Sequence, residues 1–326
     1  MAKAVTFDRI GGPEVLNYGD VEVGQPGPGQ VRLRHVAVGL NYADTYFRNG
    51  TYPIPLPNGM GVEAAGVVEA IGPDVSNVAV GDRVTYTGFI NTLGAYSTER
   101  LIPAAPLIKL PDAIPFETAA GMTMRGLTSA YLMRRIYDFK PGETILLHAA
   151  AGGVGLIACQ WAKALGYQLI GTAGSDEKCA LAKANGAAHV INYSREDFAA
   201  RVKEITGGKG VKVVYDSVGK DTWEKSLDCL SPFGLMASFG NASGPAPSFA
   251  PGILAAKGSI YVTRQTLFTH ISTRETCQEM ADDLFAVVSS GQVKIPIDQR
   301  YPLEQVAQAH IDLEARKTTG CTILTL

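Results

Sequence analysis

The most informative stretch of this chain reads Thr144-Ile145-Leu146-Leu147-His148-Ala149-Ala150-Ala151-Gly152-Gly153-Val154-Gly155. An apolar run suited to a buried parallel strand meets a cluster of small residues, and a helix-prone segment follows at 156–165. The free N–H groups and the dipole of a helix N-terminus point at such a turn, and small residues let a pyrophosphate approach the backbone. Ala150, Gly152 and Gly155 occupy the three small-residue positions of a dinucleotide fingerprint. Because the first glycine is replaced, a turn without a ligand is the alternative reading.

Strand and helix patterns alternate after this stretch. Further strands are predicted at 168–172, 189–191, 212–216, 235–239 and 259–262. A second helix is predicted from Asp176 to Asn185, with Gly186 as its C-terminal stop. Alternation at this spacing is typical of a doubly wound parallel sheet, so the sequence predicts an α/β Rossmann domain over residues 123–265.

The segments on either side have a different character. Residues 1–122 are rich in Gly, Pro and β-branched residues and carry short strand patterns such as Gln30–Val38, which is typical of a β-barrel. The tail, 266–326, carries helical patterns at 274–289 and 305–316 and a final strand pattern at 321–324. A last strand after helices indicates that the tail returns to the first domain.

Length and composition exclude several classes of protein. A chain of 326 residues is long enough for two domains. The net charge of −2, without a basic stripe, disfavours nucleic-acid binding. No apolar run approaches the length of a membrane span, and the start lacks the apolar core of a signal peptide. The five cysteines are scattered, which fits reduced thiols, so we expect a cytoplasmic protein without a membrane partner.

The end of the second predicted strand bears on the choice of cofactor. NAD-binding folds usually place a carboxylate there, but residues 173–175 are small and uncharged. Lys178 follows in the next helix, and Tyr193 follows the third strand; a cation and hydroxyl donors suit a phosphate monoester. The sequence therefore predicts NADPH rather than NADH, with Lys178 as a merely solvated helix residue as the alternative. Asp176 is expected to cap the helix or to match its dipole.

Seven motifs occur in order along the whole chain. They are Gly11-Gly12-Pro13-Glu14-Val15-Leu16, Gly39-Leu40-Asn41-Tyr42-Ala43-Asp44, Gly61-Val62-Glu63-Ala64-Ala65-Gly66-Val67-Val68, Val80-Gly81-Asp82-Arg83-Val84, His148-Ala149-Ala150-Ala151-Gly152-Gly153-Val154-Gly155, Tyr215-Asp216-Ser217-Val218-Gly219 and Tyr261-Val262-Thr263-Arg264. Together they resemble the zeta-crystallin-like quinone oxidoreductases of the medium-chain dehydrogenase/reductase superfamily, and the bacterial enzymes most. The resemblance implies a GroES-like catalytic domain split around an inserted Rossmann domain, with the active site in the cleft between them.

The resemblance also makes one absence in the sequence meaningful. Zinc alcohol dehydrogenases of this superfamily carry a ligand cysteine where this chain has Asn41 and a ligand histidine where it has Val62. No metal site is therefore predicted. Without a Lewis acid, alcohol oxidation is disfavoured, and an acceptor that takes hydride without a metal is favoured. We expect NADPH-dependent quinone reduction; the alternatives are reduction of an alkenal or enone double bond, or a non-catalytic crystallin-like or RNA-binding role.

The resemblance assigns roles to residues near the reacting groups. Asn41 lies in the segment that matches the family's active-site loop, where it could bond the nicotinamide ribose or a water. Tyr46 and Tyr52 could flank a flat ring and donate a hydrogen bond to a quinone oxygen. Arg264 matches a position near the nicotinamide, and Arg316 matches a position that reaches the 2′-phosphate. The alternatives are a plain turn amide, ordinary half-buried tyrosines and surface cations.

The remaining expectations concern the cofactor, the histidines and the assembly. Predicted cofactor contacts also include Thr128, Gly152, Gly153, Val154, Gly174, Ser175, Lys178, Tyr193, Ser217, Phe239 and Gly240. His148 is expected to be structural and Asp216 to cap or bond its loop, while the other histidines show no partner pattern and receive no role. A homodimer is predicted through the sheet edges, because the strand pattern at 259–262 lacks the charges or proline of a free edge.

Overall fold

A computed structural model describes residues 1–88 and 93–326, and these form two compact units. Unit 1 comprises Met1–Leu127, His270–Ser289 and Ile295–Leu326, and unit 2 comprises Thr128–Thr269 and Ser290–Lys294. The short second piece belongs to unit 2 because the Gln160 amide bonds the backbone of Lys294 in both directions, at 2.8 and 2.9 Å. The predicted domain limits at 122 and 265 lie a few residues before the divisions of the units.

The elements follow one another in this order: β1 (Ala2–Phe7), β2 (Asn17–Val21), β3 (Gln30–Leu40), α1 (Tyr42–Arg48), β4 (Asn58–Gly59), β5 (Glu63–Ile71), β6 (Arg83–Thr87), β7 (Glu99–Pro103), β8 (Ile108–Lys109), α2 (Phe116–Arg134), β9 (Thr144–Leu147), α3 (Gly153–Ala164), β10 (Gln168–Ala173), α4 (Asp176–Ala184), β11 (His189–Asn192), α5 (Phe198–Ile205), β12 (Val211–Asp216), α6 (Trp223–Asp228), β13 (Leu230–Ser238), α7 (Gly252–Ala256), β14 (Tyr261–Arg264), α8 (Leu267–His270), α9 (Arg274–Ser289), β15 (Ile297–Pro302), α10 (Val306–Glu314) and β16 (Cys321–Thr325). Short 3-10 turns cover Pro13–Val15 and Leu303–Gln305. Across the described part of the chain, no helix combines the length and the apolarity needed to cross a membrane.

Unit 1 is built mainly from antiparallel strands. Its large sheet has the order β15-β16-β3-β5-β6-β8, with β7 also paired to β3, and a small sheet has the order β2-β1-β4. Along β3, Val31 and Leu33 are buried while their neighbours are more exposed, as the two-residue period of a strand requires. The last strand, β16, pairs antiparallel with β3, so that Leu324 lies opposite Val38. This pairing returns the C-terminal segment to the unit formed by the N-terminal residues.

Unit 2 contains a parallel sheet with the order β11-β10-β9-β12-β13-β14. The strand order reverses between β9 and β12, and ligands of such folds bind at the carboxyl ends of the strands at that point. The predicted doubly wound fold is therefore confirmed, with the fingerprint on its central strand β9. The sixth strand begins at Tyr261 rather than at Ser259, because Gly258 and Ser259 have φ angles of 101° and 54° and form a turn after α7.

Candidate functional site

The glycine-rich turn of unit 2 has the geometry of an anion site. Strand β9 ends at Leu147, and Gly152, which has no side chain to cap the helix, occupies the N-cap of α3. A Cβ on Gly155 would lie 2.4 Å from the carbonyl oxygen of Ala149, so only glycine allows the helix to approach the strand this closely. The first-turn N–H groups, contributed by residues such as Gly153 and Val154, are those that bind phosphates in such folds. The turn therefore fits a dinucleotide pyrophosphate.

Four predicted cofactor residues lie together at the end of β10. Ser175 caps α4 by accepting a hydrogen bond from the backbone N–H of Lys178 at 3.3 Å. The ring of Tyr193 covers Gly174, since a Cβ there would lie 2.7 Å from the tyrosine hydroxyl oxygen. Tyr193 is 44% exposed, so part of this residue is open to solvent at the turn. The tertiary structure thus places a lysine and a tyrosine hydroxyl beside a small-residue turn.

The same corner contains a cation that the sequence patterns did not single out. Asp176 lies in the first turn of α4, as expected, but the helix cap is Ser175. The Asp176 carboxylate pairs with the Arg195 guanidinium at 2.7 Å and accepts a hydrogen bond from the Asn192 side-chain amide at 2.8 Å. Arg195 follows β11, in the same loop as Tyr193. This position two residues after Tyr193 is the feature of the sequence from which Arg195 could have been predicted. Because Arg195 compensates Asp176, this carboxylate repels a nearby phosphate less strongly.

The ends of β12 and β13 place three more predicted residues. Gly240 is buried against the backbone of Ser217, and the N–H of Phe239 donates to the carbonyl of Asp216 at 2.8 Å. The Asp216 carboxylate accepts hydrogen bonds from the N–H groups of residues 218 and 219 at 2.7 and 2.9 Å. The prediction that Asp216 bonds its own loop is therefore confirmed. Its contacts order the backbone at the carboxyl edge of the sheet.

His148 is held in a buried network beneath the glycine turn. Its Nδ1 lies 2.9 Å from the Thr172 hydroxyl and its Nε2 lies 2.8 Å from the Ser226 hydroxyl, which also donates to Asp216 at 3.1 Å. Burial lowers the pKa of His148, against the opposing effect of the Asp216 charge. Both ring nitrogens have protein partners, so the predicted structural role of this histidine is confirmed.

Two further predicted residues of unit 2 lie in different surroundings. Thr128 is buried on α2. Arg264 ends β14, and the register that pairs it with Ser238 places it beside Phe239 at the carboxyl edge of the sheet. Its guanidinium donates to the carbonyl of Gln265 at 2.7 Å. Arg264 therefore lies at the edge of the sheet where a ligand is expected. Thr128 is 7% exposed, so only a small part of this residue is open to a ligand.

In unit 1, Asn41 starts helix α1 and is almost completely buried. Its backbone N–H donates to the carboxylate of Asp44 at 2.8 Å, and its side-chain nitrogen donates to the Glu63 carboxylate at 2.7 Å. Asparagine is a favoured N-cap residue, and an acid at the third helical position receives the N-cap N–H in a capping box. The Asn41 amide is therefore more than a turn amide, because a buried acid holds it.

The two buried acids were not identified as site residues from the sequence. Asp44 and Glu63 are fully buried, and burial raises the pKa of each carboxyl to about 7. The Arg125 guanidinium, 3.7 Å from Glu63, and hydrogen bonds to both acids oppose this effect. Glu63 could have been predicted from the sequence, because it is a glutamate within the apolar run 62–65 and a charged residue in a buried strand needs a partner.

A chain of hydrogen bonds continues from Asp44 to the other side of α1. Arginine only donates, so the contact of 2.8 Å between Arg48 Nη1 and His310 Nδ1 makes that ring nitrogen an acceptor. The proton is then on Nε2, which faces the Tyr96 hydroxyl at 3.2 Å, and Tyr96 donates to Asp44 at 2.7 Å. Burial lowers the pKa of His310 to about 3, so the ring is neutral. Arg48 also pairs with Glu314 at 2.7 Å.

Tyr46 and Tyr52 lie next to each other beyond Asn41. Their rings meet edge to face, with centroids 5.1 Å apart, and Tyr42 and Phe47 contact them at 5.6 and 5.5 Å. Tyr46 is buried and Tyr52 is half-buried. The structure therefore brings the two predicted tyrosines together in one aromatic cluster formed by α1 and the segment that follows it, with Tyr52 as the more accessible of the two.

Arg316 also belongs to unit 1, in the turn that follows α10. It is exposed, and its φ angle of 58° is rare for a residue with a side chain. Its backbone N–H donates to the carbonyl of Leu313 at 3.1 Å, which closes the turn. The turn thus holds an arginine at a fixed exposed position.

Asn41 and Val62, which stand where zinc alcohol dehydrogenases carry zinc ligands, do not suit zinc. Val62 is fully buried and has no ligand atom, and the Asn41 nitrogen is directed at Glu63. Within residues 1–88 and 93–326, no group of three or more His, Cys, Asp or Glu side chains is placed to hold a metal ion. Structural and catalytic zinc sites need three or four such ligands.

Comparison with known proteins places this geometry among oxidoreductases. Residues 27–112 match the family described as alcohol dehydrogenase GroES-like domain, and residues 153–286 match the family described as zinc-binding dehydrogenase. The chain is 55% identical to a quinone oxidoreductase of Pseudomonas aeruginosa and 45% identical to a 2-haloacrylate reductase of a Burkholderia species, with 99% of each chain covered. A crystal structure of Escherichia coli quinone oxidoreductase complexed with NADPH is 50% identical, with a TM-score of 0.97 over 99% of this chain and 100% of that one.

Proposed function

Because this chain belongs to the quinone oxidoreductase family of the medium-chain dehydrogenase/reductase superfamily, as its motifs indicate, we propose that it catalyses the NADPH-dependent reduction of quinones. The observation that carries the proposal is the end of β10, where Tyr193 covers Gly174, Lys178 bonds the cap residue Ser175 through its backbone N–H, and Arg195 compensates the charge of Asp176. Steady-state oxidation of NADPH against a panel of quinones and a panel of activated alkenes tests it. Turnover of no quinone would contradict it.

Different residues of the two units are proposed to bind different parts of NADPH. In unit 2 the turn at 152–154 takes the pyrophosphate, and Ser175, Lys178 and Tyr193 take the 2′-phosphate. Thr128, Ser217, Phe239, Gly240 and Arg264 complete the predicted contacts of that unit. In unit 1, Arg316 is proposed to add a second cation for the 2′-phosphate, and Asn41 to contact the nicotinamide ribose. NADPH, when bound, supplies a hydride.

The proposed substrate side is the aromatic cluster formed by α1 and Tyr52. Tyr46 and the half-buried Tyr52 offer aromatic rings with polar hydroxyl groups, which suits a flat ring with polar oxygens. A reduced quinone oxygen is a weak base that water can protonate, so these side chains serve mainly to position the ring. Positioning can account for a large part of the rate of such a reaction.

Tyr52→Phe is expected to lower kcat/KM for a quinone by about tenfold or less, because general acid catalysis, worth about 10²–10⁴-fold, is not required of this hydroxyl. Tyr18→Phe, at an exposed tyrosine of β2, is the matched control. Steady-state kinetics at saturating NADPH measures the change. A thousandfold loss with intact NADPH binding would identify Tyr52 as a proton donor and would favour alkene reduction, in which a carbon must be protonated.

The purified protein is expected to contain no stoichiometric zinc and to keep its activity in the presence of a chelator. The reason is that Val62 has no atom that can coordinate zinc and that the Asn41 side chain is hydrogen-bonded to Glu63. Elemental analysis and activity assays with and without chelator measure this. About one zinc per chain, together with loss of activity on chelation, would be the contrary result.

Reduction of an activated alkene is the second candidate, and its support is the 45% identity to a 2-haloacrylate reductase. Both substrate classes are electron-poor and can accept hydride without a metal. The two panels of acceptors separate them, since a quinone reductase should have its highest kcat/KM among the quinones.

We also propose that the protein is a cytoplasmic homodimer. Strand β14 is at the edge of the parallel sheet, and Tyr261 on it is 62% exposed. An uncovered edge strand presents unpaired N–H and C=O groups, which a second copy can pair. Light scattering is expected to give about twice the monomer mass of 34.5 kDa, and a monomer at micromolar concentration would contradict the dimer. All five cysteines are unpaired thiols, which agrees with a reducing compartment.

A further inference from the structure

The side chain of Asn41 has a defined polarity. Its amide nitrogen lies 2.7 Å from the Oε2 atom of Glu63, which is fully buried. An ionised carboxylate can only accept hydrogen bonds, so the amide must direct its nitrogen to Glu63 and its carbonyl oxygen away from it. A neutral partner such as glutamine would allow both orientations, because it can donate or accept.

The Glu63 carboxylate is itself held in one place. Its Oε1 atom accepts a hydrogen bond from the backbone N–H of Met124 at 2.7 Å, and the Arg125 guanidinium lies 3.7 Å from Oε2. Gly39 leaves room for it, because a Cβ at that position would lie 2.4 Å from Oε2. An opposite charge and a backbone donor both favour the ionised form of a carboxyl.

The backbone before Asn41 is held by the same arginine. Arg125 donates to the carbonyl of Leu40, the residue that precedes Asn41, and to the carbonyl of Gly121 at 2.9 Å. The backbone N–H of Asn41 is held in turn by Asp44 at 2.8 Å. Backbone contacts therefore hold the position of the residue. Glu63 holds the amide nitrogen, and the capping box, in which the Asn41 side chain accepts from the backbone N–H of Asp44, agrees with that direction of the amide.

We infer that Glu63 is a positioning residue that makes the carbonyl oxygen of Asn41 the atom offered to the cofactor. This rests on the proposed function. A carbonyl oxygen needs a donor as its partner. A ribose hydroxyl of NADPH can donate to this oxygen, whereas the oxygens of an oxidised quinone only accept and cannot. The Asn41 oxygen therefore acts on the nicotinamide ribose and not on the quinone.

Glu63→Gln is the first test, with the dissociation constant of NADPH measured by titration calorimetry at about pH 8, above the pKa of about 7 to which burial raises Glu63. The dissociation constant should rise about three- to tenfold, the range expected for one lost hydrogen bond, while KM for the quinone stays within about twofold. Glu69→Gln, on the same strand and paired with Arg34 at 2.8 Å, is the matched control and should leave both constants unchanged.

A double-mutant cycle separates positioning from a general loss of stability. Asn41→Ala should weaken NADPH binding by a similar factor, and Glu63→Gln should add less than about twofold in that background, because the residue it positions is gone. Additive effects of the two changes, or a rise in KM for the quinone with unchanged NADPH affinity, would overturn the inference. If Glu63→Gln fails to fold, Asn41→Ala alone decides between cofactor and quinone by the same two constants. A wild-type protein that binds NADPH but reduces no quinone would refute the proposed function alone, since the binding measurements stand without turnover.

Discussion

Replacing Lys178 with alanine is expected to weaken the binding of NADPH about ten- to a hundredfold and to leave the affinity for NADH nearly unchanged. The lysine lies in the first turn of α4, where its backbone N–H bonds the cap residue Ser175, and Tyr193 covers the neighbouring Gly174. A charge-assisted hydrogen bond to a phosphate is worth about 1.5–3 kcal/mol, which corresponds to this range of affinity. Only NADPH carries the 2′-phosphate, so only its affinity should fall.

Titration calorimetry with both cofactors measures this effect. Lys183→Ala is the matched control, because this lysine lies in the last turn of the same helix and donates to the carbonyl of Ala188. The control should bind both cofactors like the wild type. Equal affinities of the wild-type protein for NADPH and NADH would show that the end of β10 does not recognise the phosphate.

Replacing Arg48 with methionine is expected to lower the free energy of unfolding of unit 1 by about 3 kcal/mol, the low end of the range for breaking a buried ion pair. The Arg48 side chain is 2% exposed and holds both carboxylate oxygens of Glu314, the ring of His310 and the carbonyl of Gly11. Methionine restores volume but no donor, so these acceptors lose their partner. Glu314, at 32% exposed, can recover some hydration, which limits the loss.

Native-state hydrogen exchange of the β3 amides measures this loss within unit 1. Tryptophan fluorescence reports on unit 2 instead, because Trp161 and Trp223 both lie there. Arg300→Met is the control, since Arg300 pairs with Glu117 at 2.7 Å on the surface and such pairs contribute about 0–1 kcal/mol. Equal effects of the two changes would mean that burial of Arg48 adds nothing to the stability.

Local sequence patterns were enough to predict the alternating strands and helices of unit 2 and the place of the fingerprint, whereas α1 and α2 were not predicted. Helix α9 covers residues 274–289 as predicted, and β12 begins one residue before the predicted 212. These features depend on the periodicity of apolar residues and on caps and glycines, which act over a few neighbouring positions. The strand at 259–262 is shifted by two residues, because its start depends on the turn at Ser259.

The long-range partners of the polar side chains depend on tertiary packing and were not predicted. His310 shows no partner pattern in the sequence, yet it bonds Arg48, which lies 262 positions earlier in the chain. Glu63 and Arg125 reach Asn41 and its loop in the same way, from a strand and a helix that are distant in sequence. The charge state and direction of a buried polar group depend on burial and on neighbours in space. Both are properties of the packed fold, which local sequence patterns do not contain.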